Sequence, residues 1–119
     1  MKILNEYTFP LEIVHDIVKG KWKPIIIFQL RNGAVTLADL ERQIQGINQK
    51  MLIEQLKELT EYGIVKRTKY KGYPLRVEYL LTYERGKKML DAVLIMQNIG
   101  IDYMKENGMT DILKCKDRA

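Results

Sequence analysis

TLADLERQIQGINQKMLIEQLKELTEYGIVKRTKYKGYPLRVEYLL, residues Thr36 to Leu81, is the stretch whose reading decides the fold. Thr36 with Asp39 three residues on resembles a capping box, with Asp in place of the preferred Glu. Leu37, Leu40 and Ile44 line one face of the helix that follows. Gly46 breaks it, Ile47 plugs the turn, and Asn48 caps the next helix. In that longer helix Leu52, Leu56 and Leu59 form a buried stripe at helical spacing. Lys50, Glu54, Lys57 and Glu61 fall on the opposite face, with Ile53 on its flank, and Gly63 is a C-cap.

Val65 to Tyr70 and Arg76 to Leu81 read as strands joined by Lys71-Gly72-Tyr73-Pro74-Leu75. In the second run Val77, Tyr79 and Leu81 share one face, and Arg76 and Glu78 the other. No acidic residue falls between Glu61 and Glu78, whereas Lys66, Arg67, Lys69, Lys71 and Arg76 do. Capped short helix, tight turn, capped longer helix and basic hairpin together are the layout of a winged helix-turn-helix. In that module the second helix of the pair enters the major groove of DNA.

Outward from this stretch the chain is helical. Pro10 suits the first turn of a helix carrying Leu11, Ile13, Val14, Ile17 and Val18, with Gly20 as its stop. Lys21, Trp22 and Lys23 read as a short connection, and Pro24 opens a second helix through Ile25, Ile26, Ile27, Phe28 and Leu30, ended by Asn32-Gly33. This segment is apolar nearly all round and is expected at the centre of the domain. Thr82 caps a long final helix whose Met89, Leu90, Val93, Leu94, Met96, Ile99, Ile101, Tyr103 and Met104 spread over more than one face. Thr110 to Cys115 is expected to add a helical turn. The expectation is one mainly α domain with a small β-hairpin over residues 1–119: a reading helix at about 48–62, a wing at about 65–81, and dimerisation helices at about 10–19 and 83–107.

At 119 residues the chain is long enough for one core and not two. Its 46% apolar and 29% charged residues place it among soluble globular proteins. The opening MKILNEYTFPLEIVHD meets charge too early for a signal peptide, and no run approaches the ~20 apolar residues of a membrane helix. The single Cys gives no internal disulfide framework and fits a reducing cytoplasm. The net charge of +5 favours a polyanionic partner, and its placement matters more than its size.

Asn48, Gln49 and Lys50 are long-armed polar residues at a helix start, where base edges and phosphates come within reach. Glu54 is awkward there: it either accepts a hydrogen bond from cytosine N4 or pairs with Lys50 one turn back. The basic hairpin suits minor-groove or phosphate contact, against the alternative that its lysines merely discourage edge-to-edge pairing. The apolar surplus of the final helix, with Leu11 and Val14 of the first and Val93, Met96, Ile99 and Tyr103 of the last, points to burial against a second copy. The alternative is a monomer whose final helix folds back on its own core. A dimer would set two reading helices about 34 Å apart, or a multiple, on an inverted-repeat operator.

His15 has no second ligand at metal spacing, and Cys115, between Lys114 and Lys116, reads as an incidental tail thiol. No catalytic constellation or phosphate-binding glycine loop stands out, so the sequence implies neither an enzyme nor a cofactor, and it names no small-molecule effector.

PLEIVHDIVKGKWKPIIIFQL, GINQKMLIEQLKELTEYGIVKR and RVEYLLTYERG together resemble the HxlR-type regulators, a branch of the MarR-like winged-helix transcription factors. The resemblance runs from about Pro10 to Gly100 and rests on Gly20-Lys21-Trp22, Gly46-Ile47 before Lys50-Met51-Leu52, Leu59 with Gly63, and Arg76-Val77-Glu78-Tyr79 ahead of Thr82 and Gly86. It implies a cytoplasmic homodimer that binds operator DNA, regulates neighbouring genes and pairs through its first and last helices; the leading reading is a sequence-specific repressor. By resemblance the reading positions are Asn48, Gln49, Lys50, Ile53, Glu54 and Lys57, and the wing runs from Lys69 to Arg76. Many members carry a cysteine just before the Pro of the first helix, and several sense electrophiles or oxidants with it; here that residue is Phe9. The competing reading is a winged helix that docks protein, or binds nucleic acid without sequence choice.

Overall fold

Pro10 brings a pre-set φ to a first helical turn, and in the computed structural model, which describes residues 7–109, helix α1 runs Pro10–Val18. Glu12 closes its N-terminus, accepting from the Thr8 and Phe9 backbone N–H groups at 2.9 and 2.7 Å and from the Thr8 hydroxyl at 2.8 Å. These bonds, the Thr8 hydroxyl foremost, hold the Glu12 carboxyl below its ordinary value.

Helix α2 spans Trp22–Gln29 and so begins before Pro24, where the sequence suggested its start. The N–H groups of a first turn have no intrahelical partners, so proline is tolerated beyond the first position and does not mark the start by itself. Ile26, Ile27 and Leu30 are fully buried, which puts α2 at the centre, packed against both the helix that follows the Gly46 turn and the final helix.

A two-residue strand β1, Val35–Thr36, leads into α3, Leu37–Gln43. Thr36 Oγ1 accepts from the Asp39 N–H at 3.2 Å, while the Asp39 carboxylate pairs with Arg42 instead of completing the box. The turn beyond α3 holds Gly46 at φ +93, a left-handed conformation that costs any residue with a Cβ. Ile47, 7% exposed, drops into the core as expected, and Asn48 Oδ1 accepts from the Met51 N–H at 2.8 Å to open α4, Gln49–Glu61. Leu52, Leu56 and Leu59 are buried, each contributing about 2 kcal/mol of burial.

Strands β2, Val65–Tyr70, and β3, Arg76–Leu81, form an antiparallel hairpin in register Val65↔Leu81 to Tyr70↔Arg76. β1 adds to the outer edge of β3, pairing Val35 with Tyr79, so the sheet order is β1-β3-β2. Two residues are too short to show a period of two, and the sequence does not announce β1.

Helix α5, Arg85–Glu106, is preceded by Glu84, so Thr82 is not its immediate cap. Thr82 works at the joint instead. Its hydroxyl donates to the Gly63 carbonyl and accepts from the Gly86 N–H, both at 2.7 Å, and its own N–H donates to Ile64 at 2.9 Å. Arg85 Nη1 donates to the Tyr62 carbonyl at 2.7 Å. Three successive carbonyls just beyond α4 are thereby held by the entry to α5, while the N–H groups of Tyr62, Gly63 and Ile64 answer the last-turn carbonyls of Glu58, Thr60 and Leu59. A Cβ on Gly86 would lie 2.4 Å from the Ile64 carbonyl, so only glycine permits this approach. The turn expected over Thr110 to Cys115, and the thiol of Cys115, lie outside the described residues.

Candidate nucleic-acid interface

The three buried leucines of α4 leave the other side of that helix to solvent. Asn48, Gln49, Lys50, Glu54, Lys57 and Glu61 are all exposed there, and Ile53 is 44% exposed. Among the described residues no ion pair joins Lys50 to Glu54, so the expected pairing does not form. A Lys placed N-terminal to its Glu is the weaker order on a helix, and both side chains are better hydrated apart. Lys50 and Lys57 therefore meet solvent as bare cations, and Glu54 as a bare anion between them.

On the hairpin, Lys66, Arg67, Lys69, Lys71 and Arg76 are exposed. Arg76 differs from the others. Its Nε and Nη2 reach Glu78 Oε2 at 2.7 and 2.6 Å, so much of its charge is already answered within the strand. The register also separates the cations by face: Arg67 and Lys69 oppose Tyr79 and Val77, while Lys66 and Thr68 oppose Leu80 and Glu78.

The residues behind α4 were not legible as a site. Lys23 is only 3% exposed; its Nζ donates to Gln55 Oε1 at 2.8 Å and pairs with Glu58 Oε1 at 2.5 Å. The hydrogen bond from Lys23 holds the Glu58 carboxyl below its ordinary value. A buried lysine survives only with such partners, and here they fasten the inner side of α4 to the central helix α2. The sequence offers one hint, a lysine between Trp22 and the all-apolar run of α2.

The second half of α5 has another character. Ile95, Met96, Ile99 and Tyr103 of α5 are 63, 53, 64 and 61% exposed, in one stripe at helical spacing, and Leu11 and Val14 of α1 are exposed as well. Val93 corrects the expectation: at 6% exposure it packs into the chain's own core and is not part of that stripe. Ile95, passed over in the sequence, takes its place. Between α2, the end of α3 and α5 lies an open cavity of about 690 Å³ whose lining includes Trp22, Phe28, Ile44, Met96 and Met104. His15 is exposed, and among the described residues no cluster of side chains could hold a metal.

The family described as HxlR-like helix-turn-helix matches residues 17–108. The chain is 36% identical over 97 residues to a protein of Fusobacterium mortiferum assigned a regulatory role and called MalR, covering 81% of this chain and 91% of that one. It is 37% identical over 86 residues to the HTH-type transcriptional regulator YkvN of Bacillus subtilis (strain 168), covering 72% of each. Among solved structures, a protein of Porphyromonas gingivalis W83 assigned to the MarR family of transcriptional regulators superposes with a TM-score of 0.75 at 35% identity, over 84% of this chain and 97% of that one.

Proposed function

The chain belongs to the HxlR-like helix-turn-helix family of transcriptional regulators, not to a family of enzymes, and on that premise we propose that it is a homodimeric repressor of an inverted-repeat operator. The observation that carries this reading is the split character of α4. One side is sealed into the core by Leu52, Leu56 and Leu59, and the other presents Gln49, Lys50 and Lys57 to solvent. Laid in the major groove, its first turn brings Asn48, Gln49 and Lys50 to base edges and phosphates, and Ile53 reaches thymine methyl groups. Glu54 accepts from cytosine N4, and Lys57 meets a phosphate. Lys66, Arg67, Lys69 and Lys71 neutralise backbone charge beside the groove, with Arg76 a weaker contributor because of Glu78.

Dimerisation follows from the apolar stripe. Met96, Ile99 and Tyr103, with Leu11 and Val14, leave water on pairing, and the rigid joint at Thr82 and Arg85 transmits the spacing of the two α5 helices to the two α4 helices. Occupancy of the operator then excludes the transcription machinery. Among the described residues no helix is long and apolar enough to cross a membrane, and the cytoplasm is the working compartment we assign.

A mobility-shift titration of the full chain on its own upstream DNA tests this proposal. Binding should exceed that to unrelated DNA of equal length across a salt series; equal binding overturns it. A second reading, docking of protein or of nucleic acid without sequence choice, draws on the exposed carboxylates of Glu54 and Glu61. It requires function to survive Gln49→Ala with Lys50→Ala.

A further inference from the structure

The cations of the hairpin surround a feature that they do not explain. At its tip Tyr73 is 91% exposed and Leu75 59%, and Tyr70 at the end of β2 is 46% exposed. Lys69 and Lys71 flank them, exposed and, among the described residues, without an acidic partner. Nothing in the chain's own core needs these side chains, because the core of the hairpin is made lower down by Val65, Tyr79 and Leu81. Large apolar groups raised on a two-stranded arm, ringed by positive charge, match the chemistry of one kind of surface. A nucleic-acid groove is walled by phosphates and floored by the flat faces and apolar edges of bases. Side chains of this type act there as wedges, entering between base steps, unstacking them in part and bending the duplex.

We propose that Tyr73 and Leu75 form an apolar wedge that enters the minor groove of duplex DNA and bends it, while Lys69 and Lys71 hold the flanking phosphates. The inference rests on the DNA-binding reading above and adds to it a contact that carries no charge. Tyr73 supplies a ring that stacks on an opened base step, and Leu75 fills the space beside it. Arg76, committed to Glu78, leaves the tip free of a competing guanidinium. Sequence preference then arises at steps that unstack easily, pyrimidine–purine steps above all, away from the bases that α4 reads.

Because the wedge is uncharged, it has a signature distinct from the lysines around it. The measurement uses full-length protein and a duplex of about 30 base pairs selected from a random pool by the wild-type chain. Its ends carry a fluorescence donor and acceptor, and a 2-aminopurine is placed at successive minor-groove steps. Tyr73→Ala with Leu75→Ala should weaken binding about tenfold. It should leave the slope of log affinity against log salt unchanged, abolish the 2-aminopurine rise and straighten the duplex. Tyr73→Phe should restore all of these, and Lys71→Ala should do the reverse, flattening the slope by about one unit while the bend persists. Both altered residues are solvent-exposed, and an unchanged thermal melt shows the fold intact. Wild-type affinity, bend and 2-aminopurine signal in the double variant overturn the wedge. So does a loss of affinity that comes with a flatter salt slope, or a loss with no bend or unstacking in the wild-type complex, as for a tip that docks protein. Failure of the wild-type chain to select any duplex overturns the DNA reading itself, a different result from either.

Discussion

Two exposed surfaces of this molecule teach opposite lessons. The outer side of α4 with the hairpin strands is mostly polar and basic, the apolar tip at Tyr73 and Leu75 apart. A surface of that kind is content in water, so it speaks of function only through the geometry that holds it. The far half of α5 exposes Ile95, Met96, Ile99 and Tyr103 in one stripe. That arrangement is unfavourable in water, and so it speaks of a partner without help from geometry. The first surface was assigned from its order of elements, the second from its chemistry alone. Between them stands the joint at Gly86, through which the positions of the two are made interdependent.

Breaking the apolar surface is expected to have the largest effect. Ile99→Glu places a charge in the middle of the stripe, where pairing would have to bury it. Sedimentation should show the particle mass halved, and operator affinity should fall about a thousandfold because two linked half-sites become one. The melt of the single chain should hardly change, since Ile99 is mostly exposed and is not part of the core cluster. A wild-type chain that already sediments as a monomer would break the comparison outright.

The joint comes next. Gly86→Ala puts a methyl group 2.4 Å from the Ile64 carbonyl oxygen, a backbone atom that cannot swing away. Either α5 backs off and loses the bonds from Thr82 and Arg85, or β2 shifts. We expect a loss of about 3 kcal/mol in chemical denaturation, well beyond the gain of about 1 kcal/mol that alanine offers within a helix. Stability equal to wild type would mean that the two surfaces are not rigidly linked.

Much of this could be foreseen, and the pattern of what could not has a physical cause. Caps, turns and stripes are local: Asn48, Gly46 and the Leu52-Leu56-Leu59 row act within a few residues, so the helix-turn-helix is legible from spacing. Which side of a long helix meets the core is decided by what packs on it. Val93 and Ile95 lie two places apart, yet one is sealed and the other bare, and periodicity alone could not rank them. Lys23 is the clearest case. Its partners Gln55 and Glu58 lie on a different helix, far along the chain, and no local pattern announces a lysine that folding will bury.

That lysine gives the third test, on the inner side of α4. Lys23→Ala should cost about 2 kcal/mol, short of a fully buried pair because Glu58 keeps some solvent. Lys23→Met, which fills the space without a charge, should recover only the packing part of that loss, since Glu58 still lacks its cation. The acid limb carries the sign. The Lys23 hydrogen bond lowers the Glu58 carboxyl below its ordinary 4.5, so its contribution is complete above about pH 4.5 and drains away as pH falls through the lowered value. Denaturation midpoints in Lys23→Met should therefore fall less steeply than wild type below pH 4.5. A parallel fall would place the acid sensitivity elsewhere.

The smallest expected effect falls on the polar surface, at Glu54. Its carboxylate stands between Lys50 and Lys57 with no ion-pair partner among the described residues, so it serves neither as a helix staple nor as a neutraliser. Laid in a groove as proposed, such an anion opposes every phosphate alike, and only a base edge that donates to it can repay that repulsion. Glu54→Gln should accordingly tighten binding to unrelated DNA by roughly twofold to threefold while leaving operator affinity nearly level, so that the ratio between them shrinks. Competition titrations at fixed salt read that ratio directly. Should both affinities rise together, Glu54 reads nothing, and the specificity of this surface must come from Gln49, Lys50 and the deformability of the DNA.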